Sequence, residues 1–212
     1  MTGISRRAWL AAVLLLAACT RKQRAQAQLV PDGATVLALG DSITYGTGAP
    51  PKASYPNVLA RLTGWNVVNA GVPGDTSAQA LARLPALLDE HKPALVLVGI
   101  GGNDFLRRLS EADTRANVQR AAQLARDAGA QVLLIAVPRP TLAAHFTGSL
   151  DDHKLYGEIA EALKLPLQRG GWAEVLGDEQ LRADQIHANA AGYQTFAERL
   201  LATARAVGLY AR

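Results

Sequence analysis

The residues able to do chemistry stand at the ends of apolar runs. Val36-Leu37-Ala38-Leu39 leads into Gly40-Asp41-Ser42-Ile43. A short apolar run bounded by a turn signal reads as a buried strand. Gly40 lets the chain turn sharply. Ser42 then opens whatever follows, most simply a short helix whose free N–H groups favour negative charge. A serine there is either a nucleophile or the cap of that helix. A second run, 94–100, ends in Gly101-Gly102-Asn103-Asp104, and the turn Gly71-Val72-Pro73-Gly74 follows another apolar stretch. Near the C-terminus stands Asp184-Gln185-Ile186-His187. One serine, one histidine with a carboxylate three residues before it, and one amide are what acyl transfer needs. A hydroxyl is a weak nucleophile until a base takes its proton. A histidine is that base if an acid fixes its tautomer. The tetrahedral oxyanion needs donors already in place. Taken singly, each group has a plainer role: Asn103-Asp104 a turn, Asp184 a cap, His187 a surface residue.

Strand and helix patterns alternate around these residues. Strands are expected at Thr35–Leu39, Trp65–Ala70, Ala94–Ile100 and Gln131–Val137, with a short edge strand at Leu165–Leu167. Helices are expected at Ser54–Leu62, from the cap cluster Asp75-Thr76-Ser77 to His91, at Thr114–Ala128, Asp152–Leu163, Trp172–Leu176 and Ala190–Val207. The helix before His91 is expected to bury Ala78, Leu81, Ala82, Leu84 and Leu88, and His91 to sit at its C-terminal end. Repeated β–α alternation implies a parallel sheet with helices on both faces. In such a sheet every loop that carries a polar candidate emerges on one edge.

Composition narrows the partners. The chain of 212 residues is 49% hydrophobic but only 5% aromatic, so its core should be mostly aliphatic. Five of the 22 basic residues, Arg6, Arg7, Arg21, Lys22 and Arg24, precede Leu29, where there is no acid. The remaining 17 face all 18 acidic residues. The globular part is therefore near neutral, which excludes a nucleic-acid surface. Arg6-Arg7, the apolar run Trp9–Ala18 and Leu16-Ala17-Ala18-Cys19 form a targeting segment too short to span a bilayer. It resembles the signal of bacterial lipoproteins, with Cys19 as the lipidated residue. A plain secretory signal cut after Ala25 or Ala27 is the alternative, and Ser5–Leu10 bears a weaker likeness to a twin-arginine signal. Residues 1–28 are thus an export segment with the start of a tether, 29–34 the rest of the tether, and 35–212 one domain. Cys19 is the only cysteine, so no intramolecular disulfide forms.

Gly40-Asp41-Ser42-Ile43, Gly74, Gly101-Gly102-Asn103-Asp104 and Asp184-x-x-His187, in this order, resemble the four blocks of the GDSL, or SGNH, hydrolases. The resemblance spans residues 35–205. It is nearest to the small bacterial enzymes described as thioesterase, arylesterase and lysophospholipase, through Asn69–Ser77 and Leu81–Pro85. It implies a flavodoxin-like α/β/α sandwich with a central parallel sheet, and a serine esterase acting on ester or thioester bonds without a cofactor. Ser42 would be the nucleophile, His187 the base and Asp184 its orienting acid. The Ser42 and Gly74 backbone N–H groups and the Asn103 side chain would form the oxyanion hole. Ile43 replaces the usual leucine, a packing change. A carbohydrate deacetylase would use the same blocks, and a lipoprotein that binds lipid without turnover is the reading from another class. The expected partners are a small acyl substrate and, through Cys19, a membrane. Export would place the protein on the periplasmic side of the envelope. His145 and Phe146, in the irregular stretch Thr141–Asp151, are expected beside the substrate, with His153 near them. With Asp151 and Asp152 these histidines lack the spacing of metal ligands.

Overall fold

The computed structural model describes residues 27–139 and 150–211. Cys19 and most of the expected export segment, and the pair His145 and Phe146, lie outside the described residues. Five strands form one parallel sheet: β1 (Thr35–Gly40), β2 (Asn66–Gly71), β3 (Leu95–Gly99), β4 (Gln131–Ile135) and β5 (Leu167–Gln168). Their order is β2-β1-β3-β4-β5, the flavodoxin-like arrangement expected. After β1 the chain moves outward to β2 and then returns to the other side of β1 with β3. Ligands bind at such a reversal, outside the carboxyl ends of the strands.

Strand side chains alternate between two apolar layers. Val36 and Ala38, Leu95 and Leu97, and Leu133 and Ile135 face one layer. Leu37 and Leu39, Val96 and Val98, and Val132 and Leu134 face the other. Both faces are covered, which is why the runs read as continuous rather than alternating. Helices α2 (Tyr55–Thr63), α7 (Gly171–Gly177) and α8 (Ala190–Val207) close the first layer. Helices α3 (Ser77–His91), α5 (Glu111–Asp127) and α6 (Lys154–Leu163) close the second. Two short helices, α1 (Ser42–Tyr45) and α4 (Gly102–Leu106), follow β1 and β3 directly. Strand residues are aliphatic, as composition implies. The few aromatics concentrate under α1: Trp172 stacks on Phe196 at 3.7 Å, and Tyr55 meets both edge-on. The Tyr55 hydroxyl lies 3.2 Å from that of Thr44, and Tyr193 donates to the Thr47 carbonyl at 2.7 Å. The loop that bears Ser42 thus rests on a rigid aromatic floor.

Several expectations shift. Helix α3 buries Ser77, Ala80, Leu84 and Leu88, while Ala78 and Ala82 face solvent. Alanine is compatible with either side, so it does not report the buried face. Thr76 caps this helix and exchanges bonds with Gln79 in a capping box. Helix α5 starts three residues before Thr114 because the Ser110 hydroxyl accepts from the Asp113 N–H. Strand β4 ends at Ile135. Beyond it, residues around Pro138 pair antiparallel with 151–153: His153 N–H donates to the Val137 carbonyl and Arg139 N–H to that of Asp151. His153, buried, caps α6, accepting from the Leu155 N–H, and stacks on Phe105.

Candidate active site

Gly40 ends β1 in a place only glycine fits: a Cβ there would lie 2.0 Å from the Thr44 hydroxyl and 2.7 Å from the Gly99 carbonyl. The chain can therefore fold straight into α1 between β2 and β3. Asp41, not Ser42, caps this helix; its Oδ1 accepts from the Ile43 N–H at 3.1 Å. Capping is thus assigned to the aspartate, and the serine hydroxyl is left for another partner. Asp41 is buried. Desolvation pushes its carboxyl up to about 7, against the Ile43 N–H and the nearby His187 ring, which favour the charged form.

The partner of Ser42 is His187. Its Nε2 lies 3.0 Å from Ser42 Oγ, across 145 residues of sequence, and its Nδ1 lies 2.8 Å from Asp184 Oδ2. Asp184 Oδ1 also accepts from the Ile186 and His187 N–H groups, each at 2.8 Å. This Asx-type turn folds the acid back onto its own histidine. A short bridge, Arg182 to Ala188, closes the base of the loop. Burial alone would raise the Asp184 carboxyl. The His187 hydrogen bond and the two N–H donors outweigh it and hold the group below its ordinary value. An ionised Asp184 requires the proton on Nδ1, so Nε2 is the atom left to accept from the Ser42 hydroxyl.

The expected oxyanion donors lie on the turns after the two strands beside β1, Gly74 after β2 and Asn103 after β3. Gly74 has φ +85°, a left-handed conformation that glycine adopts without strain. Its carbonyl accepts from the Arg107 guanidinium at 2.8 Å. Asn103 sits in the first turn of α4, and its Nδ2 donates to the Asp75 carbonyl at 2.9 Å. The second contact of that nitrogen, to Asp41 Oδ2, is long at 3.4 Å. One amide hydrogen is therefore committed, fixing the plane of the amide, and the other is weakly held and replaceable. Asp104, the next residue, is buried and accepts from the Ser77 N–H and hydroxyl and from the Thr114 hydroxyl. It fastens α4 to the starts of α3 and α5. Arg83 donates through Nε to Asp75 Oδ2 at 2.8 Å and through a terminal nitrogen to the Gly40 carbonyl at 2.9 Å. It joins the end of β1 to the turn after β2.

A cleft opens beside Ser42 and Asn103. Its walls are mostly apolar: Ile43, Leu106, Val137, Pro138, Leu150 and Leu176, with Ile186 at the rim. Ser42, Asp184, His187 and Asn103 converge at one edge of the sheet, with Gly74 at the neighbouring turn, as the strand-end reading requires. Asp41, Arg83 and Arg107 were not legible as site residues. Arg83 and Arg107 lie on helical or irregular stretches where an arginine reads as a solvated charge. The adjacent Gly-Asp-Ser did signal a cap, expected at Ser42 and supplied instead by Asp41.

The sequence model of the GDSL-like Lipase/Acylhydrolase family matches residues 38–195. Esterase TesA of Pseudomonas aeruginosa is 37% identical over 187 residues, covering 82% of this chain and 88% of that protein. Thioesterase 1/protease 1/lysophospholipase L1 of Escherichia coli is 36% identical over 162 residues, covering 73% of this chain and 76% of that protein. A crystal structure of TesA superposes with a TM-score of 0.73 at 34% identity, covering 82% of this chain and 99% of that one. With the four sequence blocks folded onto one sheet edge, these matches establish that the chain belongs to the GDSL-like lipase/acylhydrolase family.

Proposed function

We propose that this protein is a serine esterase that hydrolyses carboxylic ester and thioester bonds of acyl substrates through an acyl-enzyme. The carrying observation is the relay from Ser42 Oγ to His187 Nε2 at 3.0 Å and from His187 Nδ1 to Asp184 at 2.8 Å. Ser42 Oγ attacks the acyl carbon while His187 Nε2 takes its proton. The carbonyl oxygen becomes an oxyanion held by the Ser42 and Gly74 N–H groups and the replaceable hydrogen of Asn103. Collapse breaks the bond to the alcohol or thiol, which leaves with the proton from His187. Water then attacks the acyl-enzyme, giving its proton to the same nitrogen. The carboxylic acid departs and Ser42 regains its hydrogen. Arg107 and Asn103 act on the carbonyls of Gly74 and Asp75 and so aim the turn that presents the Gly74 N–H.

The apolar cleft beside Ser42 suits an acyl chain. Each CH₂ it covers contributes up to about 0.8 kcal/mol, and a carbon beyond its walls contributes nothing. A panel of nitrophenyl esters from C2 to C16, acyl-CoA, lysophospholipid and acetylated sugar tests this reading. kcat/KM should rise with acyl length, level off at medium chains and accept both oxygen and sulfur leaving groups. A sharp preference for acetyl would favour a carbohydrate deacetylase instead. An organophosphonate should label Ser42, and label on another serine would overturn the assignment. The segment ending in Cys19 supports export as a lipid-anchored protein. Cys19→Ser should then convert a membrane-associated protein into a soluble or unprocessed one, and a wild-type protein found wholly soluble would refute the anchor.

A further inference from the structure

Among the described residues, seven large apolar side chains are exposed: Leu29, Tyr45, Leu62, Val72, Leu106, Leu109 and Ile186. They are not scattered. Tyr45 ends α1, Val72 follows β2, Leu106 and Leu109 follow β3, and Ile186 lies between Asp184 and His187. These five sit at the carboxyl edge of the sheet, around Ser42. The other two lie at the opposite edge, before β1 and before β2. Single exposed apolar residues need no explanation, but a cluster that rims a cleft does.

The rim is continuous with the site. Leu106 and Ile186 line the cleft as well as facing solvent, so whatever the rim contacts is presented to Ser42. Val72 precedes Gly74 by two residues, and Arg107 reaches the Gly74 carbonyl from the far side. Between Leu106 and Leu109 stand Arg107 and Arg108, both exposed; Arg108 is held at φ +55°. Two cations flanked by two apolar residues fit a surface that is anionic on the outside and hydrocarbon beneath. The next acid along the chain, Glu111, is drawn toward Arg115 at 3.7 Å.

We propose that this rim docks the enzyme on an anionic phospholipid surface, with Tyr45, Val72, Leu106, Leu109 and Ile186 entering the headgroup boundary and Arg107 and Arg108 meeting the phosphates. Docking places the cleft mouth against the lipid and lets an acyl chain pass to Ser42 without crossing water. The idea rests on the esterase reading for its purpose, but the surface itself is testable without turnover.

The probes are vesicles of phosphatidylcholine, alone or with phosphatidylglycerol, and sedimentation measures the bound fraction. All variants carry Cys19→Ser, so that no attached acyl chain contributes, and all share the same residues before Leu29, so that differences from the parent report the rim alone. The otherwise unaltered chain should partition onto the phosphatidylglycerol vesicles about tenfold or more better than onto pure phosphatidylcholine, as roughly 1 kcal/mol per surface cation implies for two arginines. Tyr45→Ser, Val72→Ser and Leu109→Ser together should lower binding to the anionic vesicles about tenfold or more. None of these three lines the cleft, so hydrolysis of a monomeric water-soluble short-chain ester should stay within about twofold. That activity also reports that the variant has folded. Arg108→Gln should lower binding only to anionic vesicles. Ser42→Ala should bind as well as its parent. Equal binding by the triple variant, or no binding by the parent, would overturn the docking proposal. Vesicle binding by a protein inert toward every ester would instead overturn the esterase reading and leave the docking surface standing.

Discussion

Replacing Asn103 by alanine separates two jobs that one nitrogen performs. The first is catalytic. The weakly held hydrogen, 3.4 Å from Asp41 Oδ2 in the resting site, turns to the oxyanion in the transition state. Loss of one such donor costs about 10²–10³-fold in kcat, about 3–4 kcal/mol. Because that charge is absent from the bound substrate, KM should move far less. The second job is structural. The 2.9 Å bond to the Asp75 carbonyl disappears. The carbonyl of the buried Asp75 loses this donor, at a cost to stability of about 1 kcal/mol. For a domain of this size that lowers Tm by about 2–4 °C. The assay is steady-state hydrolysis of a medium-chain nitrophenyl ester well below the melting temperature, together with thermal melts. Asn103→Asp, which keeps the shape but has no hydrogen to donate, should lose kcat at least as severely. A change confined to KM, or a kcat loss below about tenfold in the alanine variant, would refute the oxyanion role.

Three more outcomes follow from the charges. Asp41 holds its proton up to about 7 when folded, against 3.8 ordinarily, so the folded chain binds more protons between those values and stability falls as pH rises through them. Asp41→Asn removes that dependence, worth on the order of a few kcal/mol; parallel Tm–pH curves for wild type and variant between pH 4 and 8 would contradict it. Asp184 is shifted the other way: its contribution is present above the ordinary carboxylate value of 3.8 and is lost as pH falls through its lower folded value. Asp184→Asn should therefore flatten the acid limb of the melting curve and lower kcat about 10²-fold or more through the wrong His187 tautomer, and an unchanged kcat would sink its role. Arg83→Met should leave the Gly40 carbonyl with only the Val72 N–H, at 3.2 Å, and reduce kcat more than it raises KM; a purely thermal effect would make Arg83 structural only.

The strand ends were legible because burial on both faces forces continuous apolar runs, as in 94–100, and the polar residue that stops each run is where the sheet edge lies. Ala190–Val207 was legible to the residue, having Asn189 as cap and Gly208 as stop. The buried face of α3 was not, since Ala78, Ala80 and Ala82 look alike and only the sheet decides among them. Nor was the end of β4, where the Ala136 N–H still donates to the Gln168 carbonyl of β5 but the Val137 carbonyl turns to the His153 N–H in the antiparallel pairing around Pro138. Within the site, the nucleophile, base and acid stand in short motifs with fixed local geometry. The residues that aim the backbone do not. Arg83 reaches Gly40 across 43 positions, and Arg107 reaches Gly74 across 33. Contacts of that range are set by the fold and leave no periodic trace.

The turn that binds Asp184 to its own histidine has a consequence for how the enzyme comes to life. Asp184 and His187 lie three residues apart and satisfy each other within one closed loop. That unit costs little chain entropy to close, and forms on the timescale of a local turn. The meeting of His187 with Ser42 closes 145 residues and requires the sheet, the aromatic floor and α8 all in place. The acid and base are therefore a ready-made cartridge, and turnover begins only when the last long-range contact closes. During refolding, circular dichroism should recover before hydrolysis does, and the interval between them times the seating of that cartridge on the sheet edge.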